Sequence, residues 1–404
     1  MPVQLIRGNA LDLPLADGSV DLVVTSPPYF GLRSYTDGGE HYSGQIGDEA
    51  TPAEFVDALI SATREMVRVT KPSGSIWVNL GDKYVSDNRG SAGDVKRGEA
   101  KWAPAGPAGY PGEGIMPRKS LMGIPWRYAI RCIDDLGLIL RAEVVWSKPN
   151  GLPESVTDRV RRSHETWFHL TKQPRYYSAV DELRTAHKST PGRDGVGALG
   201  GQKLIRPVGP GSGSYNPLGA VPGSVWSIPT EPLRVPDHLG VDHYAAFPME
   251  WPRRIITGWS PRTVCSACGE GRRPVVHADP GRKERVVPRY GAGRHGAGNS
   301  TLGSRGPSAR ITGHECACPD TSAPSTPGVV LDPFGGTGTT ALVADALGRH
   351  GISVDMSADY LRIAQWRTTD PRQRARAAQR DYMPPQPQIE GQAAFPFAEV
   401  EEKE

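Results

Sequence analysis

Nine residues near the end of the chain limit its fold more than any other feature. Asp332-Pro333-Phe334-Gly335-Gly336-Thr337-Gly338-Thr339-Thr340 directly follow the apolar run Val329-Val330-Leu331 and open a helical pattern over Thr337–Leu347. Glycines between a strand and a helix let backbone amides approach a ligand, and the helix start offers unpaired N–H groups. A second strand, Ile352-Ser353-Val354, and a second helix, Ser357–Trp366, complete a βαβα unit. Such a unit belongs to an open α/β sheet, whose ligands bind beyond the carboxyl ends of the strands.

Three ligand chemistries compete for this turn. A phosphate-binding P-loop would end in Gly-Lys-Ser/Thr, and no lysine is present. A dinucleotide site needs G-x-G-x-x-G/A, which Gly336, Gly338 and Ala341 satisfy. S-adenosylmethionine carries an amino group and a ribose diol, both served by carboxylates, and Asp332 and Asp355 end the two strands. Asp355 would suit an NAD ribose equally. The turn alone therefore leaves an NAD-linked oxidoreductase and a methyl-donor site both open, beside a purely structural glycine turn.

A second motif narrows the choice. Asp21-Leu22-Val23-Val24-Thr25 reads as a buried parallel strand, and Ser26-Pro27-Pro28-Tyr29 stands at its carboxyl end. Two successive prolines fix two φ angles and remove two N–H donors, leaving a rigid shelf of carbonyl acceptors beside a hydroxyl and an aromatic ring. Such a shelf can grip an exocyclic amine through its acceptors while Tyr29 stacks on the plane of a base. Hydride transfer has no use for such a shelf.

The remaining pattern fits the same class. Thr51-Pro52-Ala53-Glu54 has the form of a capping box with proline at the first helical position, Phe55, Leu59, Ala62 and Met66 follow at helical spacing, and Lys71-Pro72-Ser73-Gly74 predicts the stop. Ile76–Leu80 and Leu138–Trp146 read as strands and Leu121–Leu136 as a helix, whereas Ser86–Lys119 reads as a Gly/Pro-rich loop. Among 404 residues, 37% are hydrophobic and 23% charged, which excludes wholesale disorder, while Gly 48 and Pro 38 predict long loops around an ordered centre. No apolar run approaches the ~18 residues of a membrane span. The first residues, Met1–Leu15, lack the basic and apolar regions of a secretion signal. A soluble cytoplasmic protein is expected.

These motifs, in this order, resemble the amino-methylating DNA methyltransferases of bacterial restriction–modification and phage systems. The order is their permuted (β) one, with the catalytic motif first and the cofactor motif last. The resemblance covers about residues 3–185 and 240–368. It also rests on Gly8-Asn9-Ala10-Leu11, Lys71-Pro72-Ser73-Gly74, Trp146-Ser147-Lys148-Pro149-Asn150, Asp158-Arg159, His164-Glu165, and His243 with Ala246-Phe247-Pro248. What it implies is an α/β, Rossmann-like, S-adenosylmethionine-dependent methyltransferase fold. Ser26, Pro27, Pro28 and Tyr29 would be catalytic, and Asn9, Asp332, Phe334, Gly335, Gly336, Gly338, Thr339 and Asp355 would contact the cofactor. The family usually has an acidic residue where Asn9 stands, against the cofactor's adenine; an amide keeps the hydrogen bonding without the charge. In the family Ser-Pro-Pro-Tyr usually accompanies cytosine N4 and Asp-Pro-Pro-Tyr adenine N6. Methylation of cytosine N4 in double-stranded DNA is therefore expected, after the base is flipped from the duplex, with adenine N6 the alternative. A non-catalytic DNA-binding module is the reading outside enzymology. The resemblance also implies a bacterial or phage-encoded protein, and it admits a cognate restriction endonuclease and a dimer.

Four of the five cysteines stand in two pairs, Cys265-Ser266-Ala267-Cys268 and Cys316-Ala317-Cys318. Four thiolates would close a tetrahedral structural zinc site across the loop between them, with free cysteines or redox chemistry as the alternatives. Between Val264 and Cys318 nine basic residues face four acidic ones. That excess suits a polyanion, and a solvated loop accounts for it equally. The expected layout is a catalytic half at 1–185, a target-recognition insertion at 186–242, and a cofactor-binding half at 243–262 and 321–370. A zinc insert at 263–320 and a disordered acidic tail at 371–404 complete it.

Overall fold

The strand Val20–Thr25 (β2) is buried along its whole length, which requires cover on both faces of the sheet that holds it. In the computed structural model the described residues are 3–31, 45–85, 116–187 except 118, 216–241, 247–279 and 308–382 except 321. Two short ladders add backbone only: β3 (Thr36–Asp37) with β4 (Glu40–His41), and β8 (Ala198–Leu199) with β9 (Gln202–Lys203). The expected loop at 86–119, most of the recognition insertion and the tip of the basic insert lie largely outside the described residues.

One eight-stranded sheet organises the chain, in the order β1 (Gln4–Arg7), β16 (His350–Asp355), β15 (Val329–Asp332), β2, β5 (Thr70–Leu80), β7 (His164–Thr171), β6 (Ile139–Ser147), β10 (Val225–Ser227). All neighbours are parallel except β7, which runs antiparallel to both β5 and β6. From β15 the chain crosses to β16 through α4 (Thr339–Ala346), and from β2 it crosses to β5 through α1 (Pro52–Val69), in the opposite direction. The adjacent pair β15 and β2 is therefore the switch point of the sheet.

Alternation along the strands sorts side chains into two cores. Val23, Ile76, Val78 and Leu331 face α1 and α2 (Ile124–Asp134), where Phe55, Leu59, Met66 and Tyr128 close over them. Leu22, Val24, Trp77 and Val330 face α3 (Glu250–Trp259) and α4. This second core is built from tryptophan: Trp251 of α3 stacks 5.0 Å from both Trp167 and Trp226. Between them, the two cores cover both faces of the sheet, with α5 (Ala358–Thr369) packed along β1 and β16.

Most predicted elements form, with informative shifts at their ends. The capping box at Thr51 and Glu54 is present, and α1 ends at Val69. Lys71-Pro72-Ser73-Gly74 does stop that helix, yet it lies within β5: Val20 pairs with Thr70 and Leu22 with Ser75, so the segment bulges out between two paired positions. Helix α2 is shorter than 121–136, because Gly123 (φ +71°) starts it, the Asp82 carboxylate accepts from the Gly123 and Ile124 amides, and Gly137 (φ +63°) lies just past its end. The irregular recognition segment supplies the edge strand β10. The expected tail needs correction at its start. Asp370 accepts from the Arg372 and Gln373 amides and caps α6 (Pro371–Ala377), whose Ala377 is buried in the tryptophan-rich core; residues 383–404 lie outside the described residues. Among the described residues, no helix is long and apolar enough to cross a membrane.

Gly335 sits where a side chain cannot. A Cβ there would stand 1.8 Å from Ser353 Oγ on β16 and 2.9 Å from its Cβ. Gly335→Ala is expected to cost about 1–3 kcal/mol of stability in urea unfolding. Ser353→Ala, whose hydroxyl has no partner among the described residues, is expected not to lower it.

Candidate active site

Four neighbouring strands, β1, β16, β15 and β2, end at one edge of the sheet, and each delivers a piece of the predicted site. Asn9 follows β1, Asp355 ends β16, the glycine turn follows β15, and Ser26–Tyr29 follow β2. The two strongest sequence motifs thus flank the crevice at the switch point.

The glycine turn is folded tightly onto β16. The Gly335 amide donates to the Val354 carbonyl (2.9 Å) and the Gly336 amide to Asp355 Oδ2 (2.7 Å). Gly338 (φ +72°) begins α4, and a Cβ there would stand 2.9 Å from Ala364 Cβ. Asp355 Oδ1 accepts from the Ser357 amide (2.8 Å), so this half-buried carboxylate joins the turn to the start of α5. Phe334 is half-buried at the crevice and Asn9 is exposed, its Oδ1 accepting from the Leu11 amide (2.9 Å). The Thr339 hydroxyl meets the buried Arg367 guanidinium at 2.6 Å, as does that of Thr337 at 2.8 Å. Burial lowers Arg367 to about 10, so it keeps its charge at neutral pH.

Asp332, expected beside a cofactor amino group, is buried at the end of β15. It is 1% exposed, and its oxygens accept from Thr25 Oγ1 (2.6 Å), Thr340 Oγ1 (2.9 Å) and the Phe334 amide (3.1 Å). The carboxylate joins the tip of β15 to the tip of β2 and to α4. Burial raises its carboxyl to about 6 in spite of these donors.

On the other side of the crevice, Tyr29 is held by groups that no local pattern announces. Its hydroxyl lies 2.6 Å from Asn79 Oδ1 and 2.8 Å from Glu165 Oε2. Ser26 Oγ donates toward the same Asn79 oxygen at 3.4 Å, and Asn79 Nδ2 donates to the Thr166 carbonyl (3.2 Å). Lys148 pairs with Glu165 and lies over the Trp146 ring. The Tyr29 ring passes over Gly81, where a Cβ would come within 2.6 Å of it. Asn79, Gly81 and Arg367 were absent from the sequence expectation, and Lys148 and Glu165 entered it only as matching residues without a role. One signal was available: Asn79 is a buried polar residue in the otherwise apolar run Ile76-Trp77-Val78-Asn79-Leu80.

A DNA methylase family model, N6_N4_Mtase, matches residues 20–263 and 321–366. The chain belongs to this family. The type II methyltransferase M.Cfr9I of Citrobacter freundii is 37% identical over 254 residues, 62% of this chain and 71% of that protein. The type II methyltransferase M.SmaI of Serratia marcescens is 30% identical over 350 residues, 86% of this chain and 83% of its own. Among solved structures, the PvuII DNA methyltransferase, titled cytosine-N4-specific, aligns with a TM-score of 0.52 at 17% identity, covering 94% of each chain. The Rossmann-like methyltransferase fold expected from the motifs is thereby shown, as is an amino-methyltransferase of this family. The NAD-linked reading falls.

The match to the methylase family is interrupted between 263 and 321, across the cysteine-bearing insert. Here β11 (Thr263–Cys265) pairs with β14 (Ser325–Pro327), and β12 (Arg273–Asp279) pairs with β13 (Ser308–Glu315). The sulfurs of Cys265, Cys268 and Cys316 lie within 4.8 Å of one another. The amides of Cys268 and Ala267 donate to the Cys265 sulfur and hold its thiol below the ordinary range, while Gly269 (φ +71°) returns its amide to the Cys265 carbonyl. Cys318 stands outside this group, beyond a bend at Ala317. The insert is tied to the main body where His314 Nε2 lies 2.9 Å from the half-buried Glu182, which also accepts from Arg262 (2.7 Å) just before the insert.

The raised Asp332 carboxyl has a defined signature. Its folded value of about 6 lies above the ordinary 3.8, so between those values the folded protein binds this proton more tightly than the unfolded chain. The stability it contributes is complete below about pH 4 and is lost as pH rises through about 6. Relative to Asp332→Asn, the wild type is expected to lose stability across that window and to show no further difference above it. Urea midpoints of the two proteins, measured across the range, check this.

Proposed function

We propose that this methylase transfers a methyl group from S-adenosylmethionine to the N4 amine of cytosine in duplex DNA, as the modification enzyme of a type II system. The observation that carries the reading is the Ser26-Pro27-Pro28-Tyr29 shelf, locked beside the glycine turn by the Thr25–Asp332 hydrogen bond. Relatives named type II methyltransferases support a cognate restriction endonuclease as the functional counterpart. The motif order, catalytic strand first and glycine turn last, supports the permuted arrangement.

The residues at the crevice fit the cofactor. Asp355, at the end of β16, suits a ribose diol; Phe334 offers an apolar face; the exposed Asn9 would hydrogen-bond an adenine edge; and glycines without room for a Cβ bring the backbone close. The cofactor, when bound, supplies an electrophilic sulfonium methyl. The protein's own groups do the positioning. Ser26 directs its single hydroxyl proton toward Asn79, which leaves its oxygen lone pairs for the amine of the flipped base. The Pro27 carbonyl would accept a hydrogen bond from the amine's second N–H, and the two bonds would draw the nitrogen lone pair out of conjugation; the proton that the nitrogen sheds on gaining the methyl would pass to solvent. Tyr29, fixed at its hydroxyl by Asn79 and Glu165, offers a ring of set orientation for the base to stack on. Rate enhancement by such a site comes from orientation and preorganised polar groups, with no covalent intermediate. Ser-Pro-Pro-Tyr, in place of Asp-Pro-Pro-Tyr, favours cytosine N4 over adenine N6.

The same reading gives zinc to the insert. Cys265, Cys268 and Cys316 would hold it, with Cys318 turned inward as the fourth thiolate, and the ion would serve to fold the ribbon that carries the basic residues. Those residues would meet phosphates and set affinity more than sequence choice.

Unmethylated DNA incubated with the protein and S-adenosylmethionine, then digested to nucleosides for mass spectrometry, is expected to contain N4-methylcytosine. Ser26→Ala should lower the yield at least about tenfold while leaving cofactor binding intact. N6-methyladenine alone would reverse the choice of base, and absence of both would end the proposal. Metal analysis is expected to find about one zinc per chain, lost in Cys265→Ser together with thermal stability. Zinc-free protein of unchanged stability would remove the metal from the insert.

A further inference from the structure

Residues 148–163 connect β6 to β7 at the same sheet edge that carries the shelf. The loop is anchored firmly at its root. The Lys148 amide donates to the Ser163 carbonyl (2.9 Å), and Asn150 exchanges hydrogen bonds with the Thr230 backbone at 2.8 and 3.3 Å. Its two arms are then cross-braced, because Arg161 Nη1 on the returning arm donates to the Gly151 and Leu152 carbonyls at 2.9 and 3.1 Å. Within this braced frame Leu152 is 88% exposed and Val160 86% exposed, whereas the next most exposed large hydrophobic of the described residues is Val225 at 64%. A braced loop that holds two apolar side chains in water is shaped for an external apolar contact.

The loop's position says what that contact is. Its first residue, Lys148, pairs with Glu165, and Glu165 holds the hydroxyl of Tyr29, so the loop begins one salt bridge from the ring offered to the flipped base. Flipping leaves a gap in the duplex between two base planes, an apolar slot flanked by phosphates. A branched aliphatic side chain fills such a slot, and the arginines beside it suit the phosphates. Arg159 is already matched by Glu154, whereas among the described residues Arg161 bonds only to neutral carbonyls, which leaves its charge for an anion.

We propose that Leu152, supported by Val160 on the returning arm, is the wedge that enters the DNA stack when the target base leaves it, with Arg161 facing the adjoining phosphate. The proposal rests on the base-flipping reaction above. The wedge acts on the equilibrium between the stacked and the flipped base, so its value depends on how firmly that base was paired.

The full-length protein would be assayed on two duplexes that contain a site modified by the wild type. In one the target base is normally paired; in the other it lies opposite an abasic position. Leu152→Ala and the Leu152→Ala/Val160→Ala pair are expected to lose at least about tenfold in kcat/KM on the paired duplex, and to return to within about threefold of wild type on the abasic one. Leu152→Met should stay close to wild type on both, and calorimetric binding of S-adenosylmethionine should be unchanged in every variant. An equal loss on both duplexes, or no loss on the paired one, overturns the wedge while the wild-type activity stands. A wild type that modifies no site in unmethylated DNA, and so defines no such duplex, overturns the underlying reaction and the wedge with it.

Discussion

One buried hydrogen bond, from Thr25 Oγ1 to the Asp332 carboxylate, joins the two halves of the site across 307 positions of sequence. It lies at the switch point of the sheet, where β2 and β15 are neighbours but their connections diverge. A carboxylate at 1% exposure is costly to desolvate, and the raised carboxyl value records that cost. Donors from β2, from α4 and from the turn itself offset it, and each of them belongs to an element that must be correctly seated. The carboxylate therefore reports on the assembly of the whole crevice: if either motif shifts, a buried charge loses partners.

The antiparallel strand β7 does for the opposite side what Asp332 does for this one. In an otherwise parallel sheet, only a reversed strand can present its beginning at the edge where the others end. Glu165 is the second residue of β7, and the register sets it against Trp146 near the end of β6 while Thr166 pairs with Leu80 at the end of β5. The reversal is what brings Glu165 between Lys148 and Tyr29. The tryptophans behind this region form a continuous layer, Trp77, Trp226, Trp251 and Trp167 stacked in turn and Trp146 edge-on to Trp251, that fixes the strands on which these side chains stand.

How much of this was legible in the sequence depended on the range of the forces involved. The glycine turn could be read because each glycine answers a local need, a positive φ at Gly338 or a missing Cβ at Gly335, and those needs recur wherever a strand turns sharply into a helix. Helix α1 could be read from its capping box. Helix α6 was overlooked although Asp370 and Pro371 are a sound start signal, because only Ala377 of the helix is buried and the segment shows no apolar stripe. The hydroxyl contacts of Tyr29 were beyond reach, since they join residues 50 and 136 positions apart that share no periodicity. Asp332 was assigned by its place at a strand end, which was correct, and its burial depended on packing by α4 and β2 that composition does not encode. The cysteines could be paired by spacing, but the bend at Ala317 that separates Cys318 from the other three sulfurs is a matter of backbone path.

The placement of β15 between β2 and β16 also dictates when the enzyme can come into being. Once strand β2 has left the ribosome, one of its edges can pair with β5 soon after, but the other edge waits for a partner made some 300 residues later. At ordinary rates of synthesis that interval is roughly tens of seconds. Throughout it, the buried strand Val20–Thr25 has one row of unpaired backbone groups, a template for pairing with any other nascent chain. Contacts of such long sequence separation also slow the final closure. The Ser26–Tyr29 segment is translated some 300 residues before the strand that completes its crevice, so the crevice cannot close on any chain that stops short of the glycine turn.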